Sequence, residues 1–456
     1  MTKFNYDVLF IGSGHAAWHA ALTLRQAGKS VAIVEEDLIA GTCTNYGCNA
    51  KILLDGPADI AHQAAAYRES GILTGELQIN WEKLMAYKHQ NIDPMHVGLA
   101  KAFENSGITL IDGHGQLQDA HTVKVDSDTY TADNIVLATG QRPAKLDIPG
   151  KAYLHDSRDF LSLPHLPNHI TFIGAGIISL EFADLARQAG AAVTVIEFAD
   201  QAIRGFYAKY SAKVVTQLKE QGVDFHFKEA VSAVAKQDQR FQVSTQSGLT
   251  VTTDYVIDAT GRIPNTEQLG LDQAGVQTNR RGIIVDDHLR TTQPNIFASG
   301  DVIDKTIPKL TPTATFESNY IASQLIGLSQ APIQYPAIPS VVFTLPRIAQ
   351  TGMSIAAAQK DTAHYQIQTI PYGQQMRFET KNESHAEMTI VTDQKHRLVG
   401  ATIYGNDAQD LINTLTLIID QQLTADQLDQ MIFAFPGASA AILDLLRVAM
   451  RQGSQH

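Results

Sequence analysis

The sequence predicts an α/β fold in which two similar strand–turn–helix–strand units precede a C-terminal α+β domain. The first observation behind this prediction is that one pattern of glycines and apolar runs occurs twice along the chain. The second is the length of 456 residues, which exceeds what one hydrophobic core serves and suggests two to four domains.

Composition limits the possible functions. The chain is 44% hydrophobic and 18% charged, which is typical of a globular protein, and its formal charge is -12. This negative charge argues against a nucleic-acid or anionic-membrane partner, because phosphate binding needs a positive surface. The N-terminal apolar run, Val8 to Ile11, is short and ends in a glycine turn, so we interpret it as a strand and not as a signal peptide. We expect a cytoplasmic protein without a membrane span.

The first repeated unit is "YDVLFIGSGHAAWHAALTLRQAGKSVAIVEED". Gly12 permits a tight turn, Gly14 lets a pyrophosphate approach the backbone, and Ala17 permits close packing of helix on strand. The start of the following helix offers free N–H groups to phosphates. Glu35 ends the second strand, where a carboxylate can bind ribose hydroxyls.

The second unit, "HITFIGAGIISLEFADLARQAGAAVTVIEFAD", repeats this arrangement with Gly174, Gly176 and Ser179 in the turn. Glu197 lies 23 residues after Gly174, and Glu35 lies 23 residues after Gly12. A duplicated phosphate turn with a matched acidic residue predicts two Rossmann-like units, each binding one dinucleotide. Two later strands, in "NIVLATGQRP" and "YVIDATGRIPN", end alike, and "NIFASGDV" places Asp301 at a strand end.

The two cysteines of the chain, Cys43 and Cys48, both lie in "GTCTNYGCNAK". A close pair in a reducing compartment is more often catalytic or metal-binding than structural. Two thiolates alone make a poor metal site, and the surrounding sequence supplies no further ligand, so redox chemistry is favoured and no metal is expected. The segment after Cys48 has the apolar spacing of a helix, whose N-terminus would lower the pKa of the Cys48 thiol.

Nearly end to end, the chain resembles the class I pyridine nucleotide-disulfide oxidoreductases, the family of lipoamide dehydrogenase, glutathione reductase and mercuric reductase. The resemblance rests on both glycine turns, both ATG segments, the "GD" motif, "LTP" at Leu310 to Pro312, "PSVVFTLPRIAQTGM" and the cysteine segment. It implies an FAD-binding domain in residues 1–150 and 281–334, an NAD(P)-binding domain in 151–280, and an interface domain in 335–456. It also implies a homodimer with active sites shared between the two chains.

The resemblance further assigns cofactor roles. FAD would contact a set that spans both parts of its domain: Gly12, Gly14, Ala17, Glu35, Thr42, Lys51, Gly115, Thr139, Gly140, Asp301 and Thr311. The nicotinamide nucleotide would contact Gly174, Gly176, Glu181, Glu197 and Gly261. Because Glu197 would repel a 2′-phosphate, we expect NADH to be preferred over NADPH, although the nearby Arg204 could serve a phosphate.

By the same resemblance, Cys43 and Cys48 form a redox-active disulfide. Cys48 would lie against the flavin and Cys43 would attack the substrate. Lys51 would point at the flavin and pair with Glu181. The expected function is transfer of electrons from NADH through FAD to this disulfide, and on to a disulfide or another electrophilic acceptor. Asn49 and Ala50 replace the proline and serine that usually precede the lysine.

The chain departs from the family near its C-terminus. Family members carry an acid–base histidine and an orienting glutamate in a motif like "HxHPTxSE", whereas this chain has "FAFPGASAA" at 433–441. Phe435 and Ala440 stand at the histidine and glutamate positions. Three interpretations remain open: a disulfide reductase whose proton comes from elsewhere, a reductase of metal ions, quinones or similar acceptors, and a reductive carboxylase-like enzyme with a proton-poor pocket at Phe435.

Overall fold

The computed structural model describes residues 4–452. No helix within this range combines the length and the apolar character that a membrane span requires.

The elements before residue 150 are β1 (Tyr6–Ile11), α1 (Trp18–Gln26), β2 (Val31–Glu35), α2 (Gly41–Tyr46), α3 (Cys48–Glu69), α4 (Trp81–Asn105), β3 (Thr109–Asp112), β4 (Gly115–Leu117), β5 (Thr122–Val125), β6 (Asp128–Leu137) and β7 (Gln141–Pro143).

The elements from residue 151 to residue 283 are α5 (Ser157–Phe160), β8 (His169–Ile173), α6 (Ile177–Gln188), β9 (Ala192–Glu197), α7 (Ala208–Glu220), β10 (Val223–Phe227), β11 (Val231–Gln237), β12 (Arg240–Thr245), β13 (Thr250–Thr253), β14 (Tyr255–Asp258), β15 (Arg262–Pro264), β16 (Thr278–Asn279) and β17 (Gly282–Ile283).

The remaining elements are β18 (Ile296–Ala298), α8 (Thr311–Leu325), β19 (Ser340–Val342), β20 (Arg347–Gly352), α9 (Ile355–Ala358), β21 (Tyr365–Ile370), α10 (Met376–Glu379), β22 (Glu387–Asp393), β23 (Leu398–Gly405), α11 (Ala408–Asp420), α12 (Ala425–Asp429) and α13 (Ala438–Gln452).

The first large sheet has the order β3-β2-β1-β6-β5-β4, with β18 pairing parallel to β6. In the parallel part of this sheet, most of β1 and β2 and the last three residues of β6 are apolar and buried, as is typical of parallel strands. Since β6 ends at Leu137 and β18 begins at Ile296, the chain leaves the first unit and later returns to it.

The second unit has a parallel sheet of order β10-β9-β8-β14, flanked by the antiparallel sheet β11-β12-β13. In both units the first strand leads through a glycine turn into a helix, as the sequence predicts. The turn glycines Gly12 and Gly174 have φ of 100° and 95°. A Cβ on Gly12 would lie 2.4 Å from the Ala138 carbonyl oxygen, so this turn tolerates only glycine.

The C-terminal sheet has the antiparallel order β19-β20-β23-β22-β21. Helix α11 turns one apolar side toward this sheet, and its buried residues share a core with strands β22 and β23. The α+β character expected for this part of the chain is therefore confirmed. The exact domain boundaries remain a prediction.

Candidate active site

The cysteines lie where two helices meet. Cys43 is in the short helix α2, and Cys48 is the first residue of α3, so the predicted helix begins where expected. Helix α2 itself was not predicted. Both cysteines are thiols here, with Cys48 exposed and Cys43 half-buried.

Three interactions favour a thiolate at Cys48. A hydrogen bond from the Cys43 thiol lowers the pKa of Cys48 to about 6, against the opposing effect of partial desolvation by the groups that surround this exposed residue. The Thr311 hydroxyl, 3.6 Å from the Cys48 sulfur, and the positive charge of Lys51 act in the same direction. The same hydrogen bond to Cys48, together with burial, raises the pKa of Cys43. Of the two sulfurs, Cys48 is therefore the one that ionises near neutral pH.

The predicted ion pair of Lys51 and Glu181 is present. The Lys51 Nζ lies 3.0 Å from the Glu181 Oε2 and 3.2 Å from its Oε1. Glu181 is on α6, directly after the second glycine turn, and its side chain is buried. The pair thus links the cysteine helix to the second dinucleotide unit. Because Glu181 is shielded from water, this pair is screened less than a surface pair.

Phe343 supports both members of this ion pair and was not predicted. Its backbone N–H donates to the Glu181 Oε1 at 2.8 Å, and the Lys51 Nζ lies 3.9 Å from the centre of its ring. A cation over an aromatic face at this distance is attracted by the ring quadrupole. Phe343 lies between β19 and β20, within the segment "PSVVFTLPRIAQTGM". The sequence marks the segment but not the contact, which exists only after folding.

Arg347, on β20, is a second link between the C-terminal sheet and the cysteine helix. Its guanidinium lies 2.6 Å from Asp55 and 3.3 Å from Asp59, both on α3, and it also donates to the Asn406 carbonyl. Arg347 is 3% exposed. Removing one partner of such a buried pair leaves an uncompensated charge, which typically costs about 3–5 kcal/mol.

The two acidic strand ends have matching geometry. The Glu35 carboxylate accepts hydrogen bonds from the N–H of Ser13, Glu36 and Asp37. The Glu197 carboxylate accepts from the N–H of Ala175 at 2.6 Å and of Ala199 at 2.8 Å. Each acid therefore ties its strand end to the neighbouring glycine turn. Further lone pairs on the same oxygens can accept ribose hydroxyls.

The other predicted cofactor residues lie around these two turns. Ala17 is fully buried at the start of α1, and Gly14 faces Gly41, next to Thr42. Gly115 begins β4 against the side chains of Ile11 and Val34. Asp301 lies in a short 3₁₀ turn after β18. Gly176 caps α6, whereas Ser179, expected in the turn, lies within the first turn of that helix.

Thr139, Gly140 and Gly261 lie where the two units connect. The Thr139 hydroxyl donates to the Asn265 carbonyl, and Gly140 has a φ of 68°. Gly261 directly precedes β15, which pairs with β7. The two ATG segments therefore meet across one small antiparallel sheet.

The residues that could hold FAD fit a dinucleotide phosphate. Gly12 and Gly41 both have positive φ, and a Cβ on Gly41 would lie 2.8 Å from Gly14. Only glycine keeps this close approach of two backbones beside the turn that leads into α1.

The segment with Phe435 is separate from all these contacts within one chain. It lies between α12 and α13, where Phe435 is 92% exposed and Ile432 is 100% exposed. Ala440 is in the first turn of α13. Within residues 4–452, no histidine is hydrogen-bonded to either cysteine sulfur.

Comparison with known proteins assigns the family. Residues 6–318 match the family model described as pyridine nucleotide-disulphide oxidoreductase, and residues 338–445 match its dimerisation domain. The chain is 30% identical over 457 residues to a dihydrolipoyl dehydrogenase of Bacillus subtilis, covering 97% of this chain and 96% of that protein. It is 30% identical over 442 residues to a glutathione reductase of Burkholderia cepacia, covering 96% and 97% of the two chains.

A similar solved structure is the Cu(II) complex of the HOCl-induced flavoprotein disulfide reductase RclA from Escherichia coli. The two share 25% sequence identity with a TM-score of 0.87, over 96% of this chain and 98% of that chain. The chain therefore belongs to the pyridine nucleotide-disulphide oxidoreductase family and is an NAD(P)H-dependent flavoprotein oxidoreductase with a redox-active cysteine pair.

Proposed function

We propose that this enzyme passes electrons from NADH to the Cys43–Cys48 disulfide, and that its acceptor takes them from Cys43 without a proton from the enzyme. The observation that carries the proposal is the presence of Phe435 and Ala440 where relatives have a histidine and a glutamate. We further propose the residue roles and domain boundaries given above, a cytoplasmic homodimer, and active sites completed by the segment of the partner subunit that corresponds to residues 431–440.

The chain retains what electron delivery needs. FAD, when bound, supplies the two-electron relay between the nicotinamide nucleotide and the disulfide. One hydride equivalent converts the disulfide into one thiol and one thiolate. The pKa order of the two cysteines supports Cys43 as the thiol and Cys48 as the thiolate. Lys51, Thr311 and the start of α3 stabilise the negative charge left on Cys48.

The candidate acceptors differ in whether their reduction consumes protons or releases them. Reduction of a disulfide substrate yields two thiols, and each leaving sulfur needs a proton, which relatives obtain through general acid catalysis. Oxidation of the Cys43 thiol and the Cys48 thiolate by two Cu(II) ions instead forms the Cys43–Cys48 disulfide and two Cu(I) ions, and it releases one proton to solvent. A chain without the acid–base pair is therefore better suited to the second reaction.

We propose a thiophilic, oxidising metal ion such as Cu(II) as the acceptor. Two nearby sulfurs are a suitable transient ligand for copper, because thiolates favour Cu(I), the product of the transfer. The structural similarity to RclA, a flavoprotein disulfide reductase whose structure was solved with Cu(II), supports this choice. A quinone is the second acceptor class that needs little acid help at this position.

The test is rapid mixing of the NADH-reduced holoenzyme, without oxygen, with chelated Cu(II), a benzoquinone, glutathione disulfide or lipoamide. We expect fast flavin and dithiol reoxidation by Cu(II), with two Cu(I) per NADH, and slow reoxidation by both disulfides. The matched control is Cys43→Ser, which should lose the Cu(II) reaction while NADH still reduces the flavin. Fast reduction of glutathione disulfide by the wild type would overturn the proposal, as would Cu(II) reduction that is unaffected in Cys43→Ser.

A further inference from the structure

Two histidines face each other where the first glycine turn, which follows β1, leads into α1. His15 follows Gly14, and His19 lies one helical turn further along the chain. The His15 Nδ1 and the His19 Nε2 are 3.1 Å apart, and both side chains are half-buried. The mechanism proposed above uses neither residue.

The surroundings of both rings favour their neutral form. Burial lowers the pKa of His15. Burial and the neighbouring His15 lower the pKa of His19 to about 4. A neutral imidazole nitrogen is a common metal ligand in proteins, since protonation would occupy its lone pair.

The spacing of the two nitrogens fits one shared metal ion. Imidazole nitrogens lie about 2.0–2.1 Å from a bound zinc ion. When the N–metal–N angle is between the square-planar and the tetrahedral value, two such nitrogens are about 2.8–3.4 Å apart. The observed 3.1 Å falls within this interval. A small rotation of the two rings, which now point at each other, would aim both lone pairs at an ion between them.

The pair differs from other histidine contacts of this chain. Several histidines contact a carboxylate: His89 with Asp93, His114 with Glu36, His165 with Glu82, His226 with Asp224 and His364 with Asp361. In those contacts the partner is a carboxylate, whereas in a contact between two neutral imidazoles one ring nitrogen accepts and the other donates.

We propose that His15 and His19 together bind one divalent transition-metal ion of the class that imidazole prefers, namely Cu(II), Ni(II) or Zn(II). No group of three or more histidine, cysteine or acidic side chains able to hold a metal is found in residues 4–452. The remaining ligands are therefore water, and the ion exchanges with solvent instead of serving as a permanent structural metal. The proposal does not depend on the acceptor proposed above.

Trp18 makes the site observable. Its indole ring stacks on His19, with ring centres 3.5 Å apart and an angle of 25° between the planes. The chain has two tryptophans, and the other, Trp81, begins α4 with its indole N–H bound to the Leu163 carbonyl. A Trp81→Phe variant therefore leaves Trp18 as the single tryptophan, directly beside the proposed ion.

The experiment titrates Ni(II) into the air-oxidised Trp81→Phe holoenzyme and follows tryptophan fluorescence, with calorimetry for stoichiometry. We expect saturable quenching of Trp18 at one ion per chain, because a paramagnetic ion quenches a contacting indole. Diamagnetic Zn(II) should compete with Ni(II) and restore the emission. Each of His15→Gln and His19→Gln should weaken Ni(II) binding about 10-fold or more, the scale on which even outer-shell losses act.

The matched control is His89→Gln, which removes another helical histidine with a partner four residues away. It should leave the Ni(II) affinity unchanged. Flavin content and circular dichroism of the His15 and His19 variants establish that they remain folded. The proposal is overturned if the wild type shows no saturable quenching, or if the folded His19→Gln variant binds Ni(II) as tightly as the wild type.

Discussion

The cysteine site and the Phe435 segment have opposite character. Around Cys48, each charged group has a partner: Lys51 pairs with Glu181, and Phe343 contacts both. Around Phe435 the chain exposes apolar side chains to solvent and offers no ionisable group at the two positions where relatives carry the acid–base pair. In the function proposed above, the residues for electron delivery are retained, whereas the acid–base pair that would assist proton delivery is absent. The difference teaches that the two half-reactions of this fold can be altered separately.

The largest expected effect comes from removing the cysteine that receives electrons from the flavin. We expect Cys48→Ser to abolish reduction of every acceptor that depends on the cysteines, because no thiolate can then take electrons next to the flavin. The long-wavelength charge-transfer absorbance that a Cys48 thiolate gives with oxidised flavin should also be lost. Cys43→Ser should show this absorbance without any reductant, since Cys48 is left as a free thiolate. Two unreactive thiols in the aerobic wild type, without this band on titration, would contradict the assignment.

The next largest effect is expected from restoring the acid–base pair that relatives carry. Positioned general acid–base groups contribute typically ~10²- to 10⁴-fold, so turnover of glutathione disulfide or lipoamide should be slow by about this factor. The double variant Phe435→His with Ala440→Glu should gain more than its two single variants combined, because an unoriented histidine is a weak catalyst. Rapid-mixing kinetics of both half-reactions measures this. Equal gains in the single His variant and the double variant would show that the glutamate position has no orienting role.

A smaller effect concerns pH. Because the pKa of Cys48 is lowered to about 6, the charge-transfer absorbance of the two-electron-reduced enzyme should be full above this pH and disappear below it. The midpoint belongs to the coupled cysteine pair and not to Cys48 alone. Thr311→Val removes a hydroxyl that stabilises the thiolate and should move the midpoint upward, whereas Thr311→Ser should keep it. An unchanged midpoint in Thr311→Val would refute a role of the hydroxyl.

The smallest effect concerns the nucleotide. A ribose hydrogen bond to Glu197 is worth about 0.5–1.5 kcal/mol, hence about 2- to 13-fold in kcat/KM. We therefore expect the enzyme to prefer NADH over NADPH, and Glu197→Arg to weaken this preference. Glu197→Gln is the control, because its side-chain oxygen can still accept the hydrogen bond from the Ala175 N–H. Flavin content and thermal stability separate nucleotide selectivity from damage to the turn. Equal kcat/KM for NADH and NADPH in the wild type would contradict the expectation.

Much of the fold could be predicted because its determinants are local. Glycines with positive φ, apolar strands and matched acids are all readable within about 30 residues, and the start of α3 at Cys48 follows from the same kind of pattern. The ion pair of Lys51 with Glu181 was predicted only through the family resemblance, since 130 residues separate the two.

What could not be predicted depends on distant segments meeting. The Phe343 contact joins the C-terminal sheet to a pair made by two other parts of the chain, and no local pattern encodes it. Likewise, the 3.1 Å separation of His15 and His19 depends on ring orientations that Trp18 and the surrounding packing set. The predicted dimer contacts of Phe435 require a second chain and stay a prediction.

The contacts of Phe343 also limit which chimeric proteins could be made from this chain and its relatives. The residue lies in the part of the chain that matches the dimerisation model, yet both groups it contacts lie in the part that matches the oxidoreductase model. The two matched parts are therefore not interchangeable modules. We expect a chimera with a foreign C-terminal domain after residue 337 to keep the Lys51–Glu181 pair intact only if the donor presents an aromatic ring and a free backbone N–H at this position.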